Sequence, residues 1–249
     1  MNAKVKSRKA RQLSPQRVQN VLVIDVGGTH IKVYATGRRQ PIKIASGPAM
    51  TPKRMIEAVR TVVDGWHYDV VSLGYPGPVV HGKPLHNPVN LGPGWLGFDF
   101  QKAFGRPTKI INDAAMQALG SYRGGRMLFL GLGTGMGSAL IVNGALEPME
   151  LAHLPYKKGK TYEDYIGNAA LKRRGKKKWI KSVFDVVERL KNALQADYVV
   201  LGGGNTKQLT SLPTDSFLGK NENAHLGGIR LWQSGITRAQ ATISGSGDS

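Results

Sequence analysis

The sequence predicts an α/β protein of two lobes around a central cleft. Apolar, β-rich runs alternate with segments of helical periodicity in both halves of the chain. A strand–turn–strand pattern with a glycine-rich turn also occurs twice, as VLVIDVGGTHIKVYATG at 21–37 and MLFLGLGTGMGSALIVNG at 127–144. The copies start about 106 residues apart, near the beginning of each half, which points to an internal duplication. At 249 residues the chain suffices for one large domain or two small lobes.

The elements between the copies follow from their spacing. Met55, Ile56, Val59, Val62 and Val63 recur at helical intervals, predicting a helix over 52–64. A strand at 108–111 leads into a short helix at 114–122. Val183, Val186, Val187, Leu190 and Leu194 make one face of a helix over 182–196, and a buried strand at 198–201 ends in Gly202, Gly203 and Gly204. The lobes are therefore placed at 20–115 and 116–233. Residues 1–19 are polar and basic and are expected to form a flexible arm, too short for a helix-turn-helix domain. Residues 234–249, rich in Ser, Gly and Thr, are expected to form a flexible tail.

Composition narrows the chemistry. The chain has no cysteine, so disulfides and thiolate metal sites are excluded and a reducing cytoplasm is the expected location. No apolar stretch approaches the roughly 20 residues that span a bilayer, and the basic N-terminus lacks the apolar core of a secretory signal. The net charge of +19 is the unusual bulk feature. Such a surface attracts polyanions, whether nucleic acid, anionic membrane or polyphosphate, or it serves solubility alone.

The glycine turns carry the first chemistry. In Asp25-Val26-Gly27-Gly28-Thr29 the glycines let backbone N–H groups approach a phosphate, and Thr29 adds a hydroxyl. Asp25 would repel that phosphate, but it suits a Mg²⁺ ion held through water. A tight hairpin with an Asp turn residue is the alternative. The second turn, with Gly131, Gly133, Thr134, Gly135 and Gly137, superficially matches a dinucleotide fingerprint. The strand-like run 139–142 that follows, where a helix should begin, speaks against it and for a second phosphate hairpin.

Asn112 and Asp113 sit at a strand-to-helix junction. Taken alone they fit a helix N-cap; between two phosphate loops Asp113 suits a general base for a hydroxyl nucleophile. In Glu150-Leu151-Ala152-His153 a helix would set Glu150 and His153 on one face, ready for a hydroxyl-rich ligand. A metal site there would be short of ligands.

Together these motifs resemble the ROK family of sugar kinases over about residues 20–232, and with it the actin-like (ribonuclease H-like) two-lobed ATPase fold. The resemblance implies that Asp25, Gly27, Gly28 and Thr29 form the first phosphate motif and Gly133, Thr134 and Gly135 the second. It implies Asp113 as base on the sugar 6-hydroxyl and Asn112 as a sugar ligand. Leu201 with Gly202, Gly203, Gly204 and Asn205 resembles the nucleotide-side motif. Glu150 and His153 resemble the two sugar-contacting ends of the family's Glu-x-Gly-His, with Ala152 in place of Gly. Gly77 and Asn90 lie in segments, 76–78 and 90–95, that resemble the sugar-side loops, and Glu163 falls where a further sugar-contacting Glu is placed. Most members carry a Cys-rich zinc loop after the Glu-x-Gly-His motif. Here residues 155–167 contain no Cys and several lysines. That basic, zinc-free version is similar to the polyphosphate glucokinases, as are Lys32, 170–179 and 226–232.

The resemblance thus implies a Mg²⁺-dependent, zinc-free glucokinase that takes inorganic polyphosphate, ATP or both, works in the cytoplasm as a homodimer, and binds neither nucleic acid nor membrane. Lys157, Lys158 and Lys160 are expected to form a polyphosphate track, helped by the basic residues of 172–178; a merely solvated face is the alternative. Few aromatics interleave with these lysines, which counts against single-stranded nucleic acid. A strictly ATP-dependent hexokinase of broader sugar range, a sugar-responsive repressor and a non-catalytic polyanion-binding protein are the rival readings.

Overall fold

The computed structural model describes residues 19–220 and 222–233. The arm and tail expected at the two ends lie outside the described residues, apart from Gln19. The first half contains β1 (Val21–Val26), β2 (His30–Ala35), β3 (Arg38–Ala45), α1 (Pro52–Val62), β4 (Val70–Tyr75), the short pair β5 (Val79–Val80) and β6 (Lys83–Pro84), α2 (Phe100–Phe104), β7 (Thr108–Asn112) and α3 (Asp113–Ser121). The second contains β8 (Arg126–Leu132), β9 (Met136–Val142), β10 (Ala145–Met149), the short pair β11 (Pro155–Lys157) and β12 (Lys160–Thr161), α4 (Glu163–Ile166), α5 (Asn168–Arg174), α6 (Lys176–Ala193), β13 (Tyr198–Gly202), a 3-10 turn (Gly204–Gln208), β14 (Ser216–Leu218) and α7 (Asn223–Arg230).

The two large sheets repeat one design. Their orders are β3-β2-β1-β4-β7 and β10-β9-β8-β13-β14. In each, the first three strands form an antiparallel meander and the last two run parallel to the central strand. In each, the outermost parallel strand leads into a helix, α3 or α7, and these two helices pack on one another.

Alternation along the central strands explains the core. Val21 and Val23 of β1 join a cluster with α3, Met127 and Phe129 of β8, and Ala224 of α7. Leu22, Ile24 and Val26 point the other way, onto Met55, Ile56 and Val59 of α1. Likewise Leu128, Leu130 and Leu132 face Trp179, Val183 and Val187 of α6. Strands covered on both faces need apolar side chains at every position, hence the unbroken apolar runs in the sequence.

Helix α1 begins as its sequence dictates: Thr51 accepts from the Arg54 N–H at 3.4 Å and Pro52 takes the first turn. Helix α6 starts six residues before the predicted 182, because Lys176, Lys177 and Lys178 favour helix without contributing to the apolar stripe. Strand β3 carries Pro41, tolerated because β3 is a sheet edge.

Chain order and spatial order part at the end. Helix α7 lies against β1 and β4 of the first sheet. The Ser72 hydroxyl donates to the Gly228 carbonyl at 2.7 Å and accepts from the Trp232 indole at 2.9 Å, while the Lys109 ammonium donates to the Leu231 carbonyl at 2.9 Å. A boundary at 115/116 therefore separates the sheets but not the helical layer between them. Among the described residues no helix is long and apolar enough to cross a membrane.

Candidate active site

A cavity of about 790 Å³ opens between the two sheets. Both glycine hairpins line it, through Asp25, Gly27, Gly28 and Lys32 on one side and Gly133, Thr134 and Gly135 on the other. Gly77, Asn90, Asp113, Glu150, His153, Glu163, Gly202, Gly203 and Gly204 line it too. Residues expected to act together thus do meet, from eight separate stretches of chain.

At the first hairpin, Asp25 is buried at the end of β1 and accepts from the Lys32 ammonium at 3.1 Å. Burial works to lower the Lys32 pKa, but attraction and hydrogen bonding to Asp25 outweigh it and hold the ammonium above its usual value. Thr29 does not line the cavity; its carbonyl accepts from the Ser46 N–H at 2.9 Å.

Asn112 and Asp113 are placed differently at the junction. Asn112 is the N-cap, its Oδ1 accepting from the Ala115 N–H at 3.1 Å and its Nδ2 donating to the Gly77 carbonyl at 3.0 Å. Its amide is committed to the fold, and the residue is not part of the cavity wall. Asp113 is the first helical residue and lines the cavity. Desolvation, then the Asp25 charge, push its pKa up to about 7, against a backbone hydrogen bond from Ala114 at 2.8 Å and the Lys32 charge.

The sugar-side residues differ from expectation in one respect. Residues 150–153 form a turn after β10, not a helix. The turn is fixed from a distance, because the Glu163 N–H donates to the Ala152 carbonyl at 3.1 Å. It still brings His153 Nε2 within 3.8 Å of Glu150 Oε1. Glu163 reaches back to the second hairpin, its Oε2 accepting from the Met136 N–H at 3.1 Å. A Cβ on Gly135 would lie 2.1 Å from that oxygen, so the carboxylate occupies the space that glycine leaves. Asn205 stands behind the wall, donating from Nδ2 to the Gly133 carbonyl at 2.9 Å.

The lysines expected to form a polyphosphate track lie outside the cavity. Lys157, Lys158 and Lys160 sit on and between β11 and β12 and do not line the cavity. Lys157 is engaged by Asp185 of α6 at 2.9 Å. Arg189 donates to the same carboxylate at 2.9 Å, as does the Tyr156 hydroxyl. Burial works to raise the Asp185 carboxyl, but these hydrogen bonds outweigh it and hold it well below the usual range. Among the described residues no group of three or more His, Cys, Asp or Glu is placed to hold a metal ion.

Among the lining residues that escaped the sequence reading are His30, Gln117 and Lys220. His30 was legible in principle, because it alternates with Lys32 on β2. Gln117 follows from Asp113 by one helical turn. Lys220 lies in a loop without periodicity, and only the tertiary fold brings it to the cleft.

Known proteins share this arrangement. The sequence profile of the ROK family matches residues 21–148. The polyphosphate glucokinase of Mycobacterium tuberculosis is 30% identical over 207 residues, covering 74% of this chain and 77% of the relative. Among solved structures, the inorganic polyphosphate/ATP-glucomannokinase of Arthrobacter sp. strain KM superposes with a TM-score of 0.70 at 27% identity, over 85% of this chain and 97% of that one. The ROK family glucokinase of Streptomyces griseus, in complex with glucose and AMPPNP, shares the fold at a TM-score of 0.65 and 16% identity, over 85% of this chain and 98% of that one. Its duplicated sheets, paired glycine hairpins and the family profile over half its length make this chain a member of the ROK family, with the actin-like ATPase fold of the family's sugar kinases.

Proposed function

We propose that this protein is a glucokinase that transfers a phosphoryl group from inorganic polyphosphate, and also from ATP, to the 6-hydroxyl of glucose. The observation that carries the reading is the placement of Asp113: a carboxylate at a helix start, facing a cleft that both glycine hairpins line, with its pKa pushed up to about 7. A base of that strength accepts a hydroxyl proton near neutral pH. The sugar oxygen then bonds to the terminal phosphorus, the bond from that phosphorus to the rest of the donor breaks, and the proton remains on Asp113.

Gly77, Asn90, Glu150, His153 and Glu163 are proposed to hold the sugar, and Gly202, Gly203 and Gly204 the far end of the donor, with Asn205 supporting the second hairpin. Asn112 is proposed to act on the sugar side through Gly77. The hairpin N–H groups receive the phosphates, work that is chiefly positioning and charge stabilisation. Asp25 fits the usual mode of Mg²⁺, which binds through one or two carboxylates and keeps several waters, since Lys32 engages only its Oδ2. Bound there, the ion would neutralise phosphate charge.

Polyphosphate as donor is supported by the names of the relatives and by the charge of +19. The test is a coupled assay with glucose and each donor in turn. Product from ATP alone would leave a strictly ATP-dependent sugar kinase, and product from neither would overturn the reading.

A further inference from the structure

The duplicated sheets put two loops in equivalent places. Each follows the outermost parallel strand and leads into a helix of the central layer: β7 into α3 at Asn112 and Asp113, β14 into α7 through Gly219 and Lys220. Both loops open onto the same cavity. The first presents a carboxylate where the acceptor hydroxyl is to be deprotonated. The second presents an ammonium, and its position follows from the backbone. The Gly219 N–H donates to the Leu201 carbonyl at 2.8 Å, which sets Lys220 beside Gly202, Gly203 and Gly204.

The charge on Lys220 is also uncommitted. Its side chain is exposed, and among the described residues it has no acidic partner. Lys32 and the lysines of 157–160 differ in one respect or the other. Lys32 lines the cavity but is held by Asp25; Lys157 is held by Asp185, and Lys157, Lys158 and Lys160 do not line the cavity. A lysine already paired offers a polyanion less net attraction than one facing only water. Lys220 therefore has both properties that a docking cation for a phosphate chain needs, a place on the cleft wall and an open charge.

We propose that Lys220 binds the donor's phosphoryl groups beyond the reacting one, so that a polyphosphate chain leaves the cleft past the wall of glycines 202–204 and not over the β11–β12 hairpin. This rests on the polyphosphate-donor reading above, and the experiment separates the two. Inorganic tripolyphosphate and long-chain polyphosphate are titrated calorimetrically into the full chain at two salt concentrations. Wild type, K220Q, K220R and the triple variant K157Q/K158Q/K160Q are compared. K220Q should bind both polymers about fivefold more weakly, as expected for one exposed ion contact. Its plot of log affinity against log salt should be shallower by about one, because one fewer counterion is released. K220R should restore affinity, the triple variant should stay near wild type, and glucose binding by K220Q should be unchanged. Wild-type affinity and slope in K220Q, or a larger loss in the triple variant, would overturn the proposal. A wild-type protein that binds neither polymer yet phosphorylates glucose from ATP would overturn the donor reading itself.

Discussion

The two glycine hairpins share a pattern, yet one step in from each turn their chemistry diverges. In the first, the ladder pair before the last is Asp25 opposite Lys32, with residues 27–30 forming the turn. In the second, the equivalent pair is Gly131 opposite Gly137, and the turn is one residue shorter, 133–135. The first hairpin thus carries an ion pair where the second carries no side chain at all. The hollow is filled by the start of α3: a Cβ on Gly137 would lie 2.7 Å from the Cβ of Ala114. One copy keeps the charged side chains, and the other gives way so that Asp113 can stand between the two. The second copy also obtains its carboxylate from outside, since Glu163 of α4 bonds to Met136. The two hairpins share one pattern, and the missing side chains of the second leave room for the start of α3, which carries Asp113.

Asp113→Asn tests what stands between the hairpins and should have the largest effect. Turnover should fall by about 10²–10⁴, the usual worth of a general base, with glucose binding kept. Near-normal kcat would remove Asp113 from the chemistry. In wild type, kcat/KM for glucose should decline as pH falls through about 7, because the base form is lost there, and the variant should lack that limb. The sign for stability is the reverse. The folded carboxyl holds its proton up to about 7 and the unfolded one only to about 4, so its contribution is fully present below about 4 and declines as pH rises towards 7. Denaturant midpoints across that window should fall less in Asp113→Asn.

Gly137→Ala against Gly131→Ala tests the hollow. The first places a methyl 2.7 Å from Ala114; the second finds nothing nearer than Phe129 at 3.5 Å, an ordinary contact. Gly137→Ala should displace the start of α3, costing about 1–3 kcal/mol as overpacking does and about tenfold or more in kcat through a misplaced base. Gly131→Ala should be tolerated. Equal effects on kcat would show that the hollow does not position Asp113.

Glu163→Ala should weaken glucose binding by about 1–3 kcal/mol, since a buried partner loses its hydrogen bond. Glu163→Gln keeps an acceptor for the Met136 N–H and should recover part of the loss. A change in donor affinity alone would move Glu163 to the phosphate side. Lys32→Met, the smallest expected effect, removes a charge that lowers the Asp113 pKa, so the acid limb of kcat/KM should shift to higher pH. An unmoved limb would confine Lys32 to holding Asp25.

The hairpins and the junction at Asn112 and Asp113 were legible because local sequence determines them. Glycine-rich turns between apolar runs fix a hairpin, and an Asn-Asp pair after a strand fixes a helix start. The sequence allows a helix at 150–153, and the structure has a turn there; besides its local Leu154-to-Leu151 bond it is tied to Glu163, a partner ten residues beyond His153 that no local pattern announces. The lysines of 157–160 were legible as charge, but the partner of Lys157 was not, since Asp185 lies on another element. Lys220 and the return of α7 to the first sheet depend on the tertiary fold alone.

That return also governs how the chain can fold as it is made. Gly228 presses on Val23 so closely that a Cβ there would lie 2.4 Å from the valine, and Trp232 is tied to Ser72. Lobes of many proteins fold in order as they leave the ribosome. Here the inner face of the first sheet, with Val21, Val23 and Val70, packs on α3 and on α7, so its cover is complete only when residues 223–232 have been synthesised. The first lobe must therefore wait, the part of its apolar face beyond α3 exposed, for the last helix of the second.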